Sequence, residues 1–437
     1  MDYLKYVSPA VVYMDDKELE LYPFVPGPPT YDTGVHIYEP HVLRVAGHVR
    51  GFDTDETKYS ETKARIRIED NIRVRKGETQ IFRCTVVDAP REDQPSCCPL
   101  TMSLQGNASE KMPISRSLVA KAFDCEYYAW PNTRGSGDRV AERAFSREFA
   151  AYKFYYENNK TGYPHVMPQF YGGWVIKTEN RYRKYVKHDD DHPKFRYVYL
   201  LLIEFIEGRS VESLCEREED IFDPDWVGYL IPLDLPLSFL RVDDDSVTRI
   251  LFDKTKRQLV IKQMLYGLVV GKHLGVKHRP VKPSNVFVSL VDGHTDELRV
   301  VFLGHGETEI WPHTEEGKTE GAPVVTLLPC PPHPYYYWND DRLDDFHGWW
   351  PPARNNVKEY WEEMKERERQ FHEWPCSDEV FGPVEEAEDV MAELERTGRD
   401  WPHPYPKLST SETLDDILET RELEREEQEP GASSNEH

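Results

Sequence analysis

The chain has 437 residues, 39% of them hydrophobic and 12% aromatic, enough for a sizeable core in one large or two modest domains. Its formal net charge of −25 and pI near 5.1 speak against non-specific binding to nucleic acid or to anionic membranes. No run approaches the roughly 18 apolar residues of a membrane helix, and the start, Met1-Asp2-Tyr3-Leu4-Lys5-Tyr6, lacks a signal-peptide pattern.

In chain order, residues 1–71 read as an N-terminal extension. Pro26-Gly27-Pro28-Pro29 breaks any regular element there, while Val42–Val45 and Ala64–Ile68 predict short strands. Between Arg73 and Asp88, the segment Arg75-Lys76-Gly77-Glu78-Thr79 holds a single glycine. Residues 90–113, with Pro95, Pro99 and the adjacent Cys97 and Cys98, read as a loop insertion between strands. The seven cysteines show no metal-ligand spacing, which predicts reduced thiols in an intracellular setting, cytoplasmic or nuclear. Leu118-Val119-Ala120-Lys121-Ala122-Phe123 predicts a strand, and Arg147–Tyr152 part of a helix. Met167–Gly172 leads into another strand. Residues 179–197 turn from basic to acidic and read as an exposed excursion. Tyr199–Gly208 is a long apolar run bounded by charge and glycine, which suits a buried strand.

Further on, the apolar run Leu259–Val270 is helix-compatible and stops before Gly275, a C′ residue. His278-Arg279-Pro280-Val281-Lys282-Pro283-Ser284-Asn285 follows. Val286–Val288, a turn at Asp292-Gly293 and Val300–Leu303 predict a hairpin, which runs into Gly304-His305-Gly306. Val357, Tyr360, Trp361, Met364 and Phe371 mark one face of a charged helix over 356–373. Residues 401–437 carry ten acidic and three basic side chains and read as a short helix with a disordered end.

These segments, in this order, resemble the motifs of the protein kinases. His278–Asn285 is similar to the catalytic loop H-R-D-L-K-P-x-N, and Leu118–Lys121 to the third strand of the small lobe, V-A-x-K. The stretch Trp338–Pro352 resembles divergent kinase-like proteins of filamentous fungi. The resemblance covers residues 72–311. It implies an α+β, bilobal protein kinase-like fold, with a β-rich N-lobe over 72–208 and a mainly helical, shortened C-lobe over 209–400 with a divergent end. An acidic, partly disordered tail over 401–437 completes it. Lys121 becomes the lysine that pairs the α- and β-phosphates of ATP. Glu148 is its ion-pair partner, with Glu142 as the alternative. The strand and hinge over 199–208 receive adenine, with Glu204 and Ile206 at the base. Asn285 holds a second metal ion, and Lys282 is the remnant of the substrate-phosphate lysine.

Two departures bear on chemistry. Pro280 stands where the family's aspartate accepts the proton of the substrate hydroxyl, and proline has no titratable group. Gly304-His305-Gly306 stands where D-F-G supplies the aspartate that holds Mg²⁺. His305 is a candidate metal ligand or a turn residue, and Glu307 a second donor. The single Gly77, followed by Glu78, replaces a glycine-rich phosphate loop. The acidic balance disfavours polyanionic ATP unless local Lys or Arg reverses the field. Loss of a general base costs about 10²–10⁴ in rate, and loss of the main metal ligand removes several kcal/mol of charge stabilisation, at about 1.4 kcal/mol per tenfold. The implied function is a pseudokinase acting as a protein-binding or scaffold module. ATP, bound weakly or not at all, is its cofactor, and Mg²⁺ is left open. Protein partners are expected through the acidic C-terminal region, and neither nucleic acid nor membrane. Two alternatives stand: a divergent ATP-dependent phosphotransferase with non-standard residues, and a match confined to the C-lobe, with residues 1–120 an unrelated domain.

Overall fold

A computed structural model of the chain describes residues 13–29, 31, 49–75, 78–104, 107–128, 137–179, 195–217, 229–233, 237–240, 247–277, 281–291, 294, 296–320, 346, 349, 369–371 and 374. Six of its strands close into a barrel. They are β1 (Glu18–Pro23), β2 (Ala64–Arg73) and β3 (Gln80–Asp88), then, beyond a hairpin of β4 (Thr101–Leu104) and β5 (Asn107–Pro113), β6 (Leu118–Phe123). After α1 (Cys125–Tyr128) and α2 (Gly137–Glu157) come β7 (Phe170–Glu179) and β8 (Phe195–Glu204). The barrel order is β1-β2-β3-β6-β8-β7, antiparallel throughout, and β1 closes on β7 with Leu21 opposite Ile176. With its helices the chain is α+β, the class expected from its sequence.

The two-residue period of a strand decides which side chains fill the barrel. In β3, Phe82, Cys84 and Val86 are buried, while Ile81, Arg83 and Thr85 between them are only partly so. The inward set continues with Ile66 and Ile68 of β2, Leu118 and Ala120 of β6, Leu200 and Leu202 of β8, and Trp174 and Ile176 of β7. Each large apolar side chain among them stabilises the fold by about 1.5–3 kcal/mol through burial. Arg196 is the exception at an inward position of β8, and it is 1% exposed. A buried cation needs a partner. Its Nε and Nη2 donate to the two carboxylate oxygens of Asp124 at 3.2 and 2.8 Å, and Tyr13 Oη donates to Asp124 at 2.7 Å.

α2 covers the outer face of the barrel with a stripe at helical spacing, Ala141, Phe145, Glu148 and Tyr152, all buried. Phe145 stacks on Tyr199 at 4.8 Å and meets Phe123 edge-on at 5.5 Å, while Phe149 meets Phe170 at 5.6 Å. A glutamate in this stripe is thereby aimed at the sheet.

Beyond the barrel follow β9 (Gly208–Ser210), β10 (Cys215–Arg217), β11 (Leu230–Pro232), β12 (Leu237–Leu240), β13 (Val247–Ile250) and α3 (Lys254–His273). The last are β14 (Val276–Lys277), β15 (Val286–Leu290), β16 (Leu298–Phe302), β17 (Glu309–Ile310) and α4 (Glu315–Glu320). α3 ends before Gly275, whose φ of +84° is a left-handed conformation that glycine adopts without strain. The hairpin expected over 286–303 is β15 and β16, with Val286 opposite Phe302, and β9 pairs on the other side of β15. β16 is an edge strand, and Gln263 of α3 satisfies it. Its amide donates to Leu298 O at 2.7 Å and accepts from Val300 N at 2.8 Å.

The chain divides into two compact units. The first holds residues 1–214, 234–267 and 274–323, the second residues 215–233, 268–273 and 324–437. In the second, β10 pairs with β11, and Phe346 and Trp349 meet edge-on at 5.0 Å, both buried.

Several expectations differ from this architecture. The extension expected over 1–71 supplies β1 and most of β2, so the boundary at 71/72 falls inside a barrel strand. The physical reason is the alternation of Ala64, Ile66 and Ile68 with Arg65 and Arg67, which gives β2 an inward apolar edge. Residues 1–120 are accordingly no separate domain, because β1 pairs with β7 and β6 with β8. The loop expected over 90–113 contains the β4–β5 hairpin, in which Met102 lies opposite Met112. Residues 195–197, expected in an exposed excursion, belong to β8. Beyond residue 208, helix among the described residues is confined to α3, α4, short 3₁₀ turns and residues 369–371, where a mainly helical lobe was expected. The excursion over 180–194, the rest of the helix over 356–373 and the tail over 401–437 lie outside the described residues.

Candidate functional site

A cleft of about 460 Å³ opens in the first unit, lined by the end of β2 and by Glu78 and Thr79 just before β3, by β6, α1 and α2, and by residues 281, 282, 284, 285 and 302–308. Its charged walls balance: Arg73, Lys121 and Lys282 against Glu78, Glu148 and Glu307. The field is locally neutral in a chain of net charge −25.

Lys121 stands on β6 opposite Ile81 of β3 and Leu201 of β8. Its ammonium donates to Glu148 of α2, and both side chains are buried, 7% and 5% exposed. Such a pair is held in place because either partner alone would be an uncompensated buried charge. Of the two glutamates weighed as partner, Glu148 reaches the lysine, whereas Glu142 pairs with Arg50 at 3.2 Å.

Asn285 ends a 3₁₀ turn over Pro283–Asn285, and its carbonyl accepts from Leu303 N at 2.7 Å. Gly304 has φ +80°, and a Cβ there would meet Asn285 Nδ2 at 2.7 Å. Only glycine allows this approach of the chain to Asn285. Lys282 is exposed at the cleft mouth.

His305 is 3% exposed and lies edge-on to Tyr152 at 5.1 Å. Its Nε2 is 3.2 Å from Phe302 O and its Nδ1 3.3 Å from Thr308 Oγ1. A carbonyl oxygen only accepts, so Nε2 carries the proton and Nδ1 takes the threonine hydroxyl. Burial, with the nearby Lys121 charge acting in the same direction, depresses the imidazole pKa to about 4. The ring is neutral at pH 7, with its one lone pair occupied. Among the described residues no group of three or more His, Cys, Asp or Glu could hold a metal ion.

The β2–β3 loop bonds to itself. The fully buried Gln80 amide accepts from Arg75 N at 3.0 Å and donates to Arg75 O at 2.6 Å and Glu78 O at 2.5 Å. Thr79 and Tyr128 share a hydroxyl hydrogen bond of 2.5 Å, and Arg73 pairs with Glu78 at 3.3 Å.

Glu204 and Ile206 are buried and do not line the cleft. The Glu204 carboxylate is held by Arg299 of β16 and by the backbone N–H of Gln169. Its own N–H donates to Gln169 O at 2.9 Å, and Ser289 Oγ donates to Glu207 O at 2.6 Å. Sequence reasoning missed Arg299. The signal was a lone arginine inside Leu298-Arg299-Val300-Val301-Phe302, since a charge in an otherwise apolar strand demands a partner. Gln80, Thr79 and Tyr128 carried no comparable signal. His278, Arg279, Pro280 and Gly77 lie outside the described residues.

No family model matches the chain, and no curated protein does. Among solved structures, the MAP kinase LmaMPK10 from Leishmania major matches 57% of this chain and 48% of that one, at 10% sequence identity and a TM-score of 0.28. The chain thus spans about half the length of the solved structure it matches, and a likeness this distant decides neither fold nor activity.

Proposed function

We propose that the chain is a kinase-fold pseudoenzyme, bilobal in design, whose work is to bind proteins as a scaffold or regulatory module. The observation that carries this reading is the neutral, buried His305 between Gly304 and Gly306, on the wall facing the Lys121–Glu148 pair. On this reading a Mg²⁺-binding carboxylate belongs at that wall, and the segment 303–306 offers none. Of the cleft carboxylates, Glu148 is taken by Lys121 and Glu78 by Arg73, which leaves Glu307 at the rim. Lys121 and Glu148 then persist as a structural pair, and Asn285 and Lys282 as remnants. Phosphoryl transfer rests on positioning and electrostatic stabilisation, so loss of both the loop aspartate and the metal carboxylate strikes its main terms.

On this reading ATP binds weakly or not at all. The Arg75 amide that could face a phosphate is taken by Gln80. Protein partners reached through the acidic C-terminal region, and an intracellular setting, belong to the same reading. Cys84, Cys97 and Cys98 are free thiols, which supports that setting. No helix of the described residues is long and apolar enough to cross a membrane.

The buried Lys121–Glu148 pair is also what favours the second reading, a divergent phosphotransferase. One assay separates the two: transfer of phosphate from Mg-ATP to the chain itself and to generic protein substrates, for wild type and Lys121→Ala. The pseudoenzyme reading expects both at background. A wild-type rate that Lys121→Ala abolishes would overturn it.

A further inference from the structure

The outer face of the barrel is ordered in rows. Ile81, Lys121 and Leu201 form one, and Arg83, Val119 and Ile203 the next, two residues along the same face of β3, β6 and β8. If the run 199–208 receives a base, the base belongs against this second row and against Phe205, which directly follows β8. That place is taken. The Arg83 guanidinium lies over the Phe205 ring at 5.4 Å from its centroid, and its Nε is 3.0 Å from Glu69 Oε2. Glu69 is itself held, because Ser117 Oγ donates to the same oxygen at 3.0 Å. A planar cation on an aromatic face, tied at its other edge to a carboxylate, fills the stacking position that a purine would need.

Two polar groups nearby are engaged as well. Glu204 N–H donates to Gln169 O, and Glu207 O accepts from Ser289. The single Glu204 N–H is thereby closed to the edge of a base, and one lone pair of Glu207 O is occupied. The cleft lining agrees: it reaches Lys121, Asn285 and Gly304 but neither Phe205 nor Ile206.

We infer, on the kinase-like reading of the cleft, that Arg83 clamped between Phe205 and Glu69 closes the base end of the groove, so that the chain excludes purine nucleosides by an internal side chain. Arg83 is 37% exposed in its side chain, so it lies over the groove as a cover and not in the core, and its removal opens space without emptying the barrel.

Adenosine tests this directly, since it probes the base end without phosphate or metal. Wild type, Arg83→Ala and Arg83→Val are titrated to millimolar adenosine and followed by melting temperature. The valine variant keeps a strong strand former at this position, should the alanine variant fold poorly. The expected result is no shift for wild type and a rise of a few degrees for a folded Arg83 variant, with dissociation constants at least about tenfold tighter than for wild type. A wild type that adenosine stabilises as much as the variant would overturn the closure. So would variants that fold and gain nothing. Neither failure touches the pseudoenzyme reading, which falls only to phosphate transfer that depends on Lys121.

Discussion

Arg299 of β16 holds Glu204 at the end of β8 with both arms of its guanidinium, Nη1 at 2.7 Å from one carboxylate oxygen and Nη2 at 3.0 Å from the other. The side chains are 9% and 11% exposed, so the pair is nearly dry. This geometry is the strong form of a charge-assisted contact, and it commits Glu204 to joining the barrel to the β15–β16 hairpin. Removing one partner of a buried pair costs about 3–5 kcal/mol, because the other charge is stranded. Arg299→Leu is therefore expected to lose about 3 kcal/mol in urea unfolding. The double variant Arg299→Leu with Glu204→Leu should recover most of that loss. A single-variant loss below about 1 kcal/mol, the range of an exposed pair, would show that water reaches the contact.

His305 makes stability depend on pH with a definite sign. Burial depresses its folded-state pKa to about 4, against about 6.5 in an unfolded chain. As pH falls the unfolded chain takes up the proton first. The contribution is fully present above about pH 6.5 and is lost as pH falls towards 4. Between pH 7 and pH 5 this amounts to about 2 kcal/mol. Carboxylates titrate in the same interval, so the comparison is with His305→Gln, which keeps a polar side chain but no titration. The variant should lose about 2 kcal/mol less than wild type on going from pH 7 to pH 5. Equal losses would mean that the imidazole is protonated in the folded chain.

What was legible in the sequence followed from local rules. Apolar and β-rich runs marked β2, β6, β8 and the β15–β16 hairpin, and the resemblance of Leu118–Lys121 and the helix over 147–152 to kinase motifs brought Glu148 into view as a partner for Lys121. What was not legible depended on which strands share a sheet. Nothing in Glu18–Pro23 says that β1 closes on β7, because that pairing is set by barrel geometry and not by nearby residues. The same holds for the structural arginines. Arg83, Arg196 and Arg299 each stand in an alternating or apolar strand, and only the partner across the fold (Phe205 and Glu69, Asp124, Glu204) distinguishes a structural arginine from one on a solvated face. The same limit applies to Glu204, since Arg299, which holds its carboxylate, lies 95 residues further along the chain.

The β2–β3 loop is expected to owe its order to one side chain. Gln80 is fully buried, and its amide satisfies Arg75 N, Arg75 O and Glu78 O. Gln80→Met keeps the length and removes all three bonds, leaving buried backbone groups without partners. The expected cost is about 2–3 kcal/mol, with the Arg75 amide exchanging at least about tenfold faster with solvent deuterium. An unchanged exchange rate would show that other contacts hold the loop.

Gly304 carries two separable constraints, and a pair of variants resolves them. Its φ of +80° strains any side chain, and a Cβ would stand 2.7 Å from Asn285 Nδ2. The conformational part is about 1 kcal/mol. The contact forces Asn285 to turn away from the cleft or the backbone to shift, at a further cost of about 1–2 kcal/mol. Gly304→Ala should therefore lose about 2–3 kcal/mol of stability. Shortening the neighbour with Asn285→Ala removes the contact and leaves the conformational part. Relative to Asn285→Ala alone, adding Gly304→Ala should then cost only about 1 kcal/mol. If the alanine costs the same in both backgrounds, the two residues do not touch, and the glycine is required by its backbone alone.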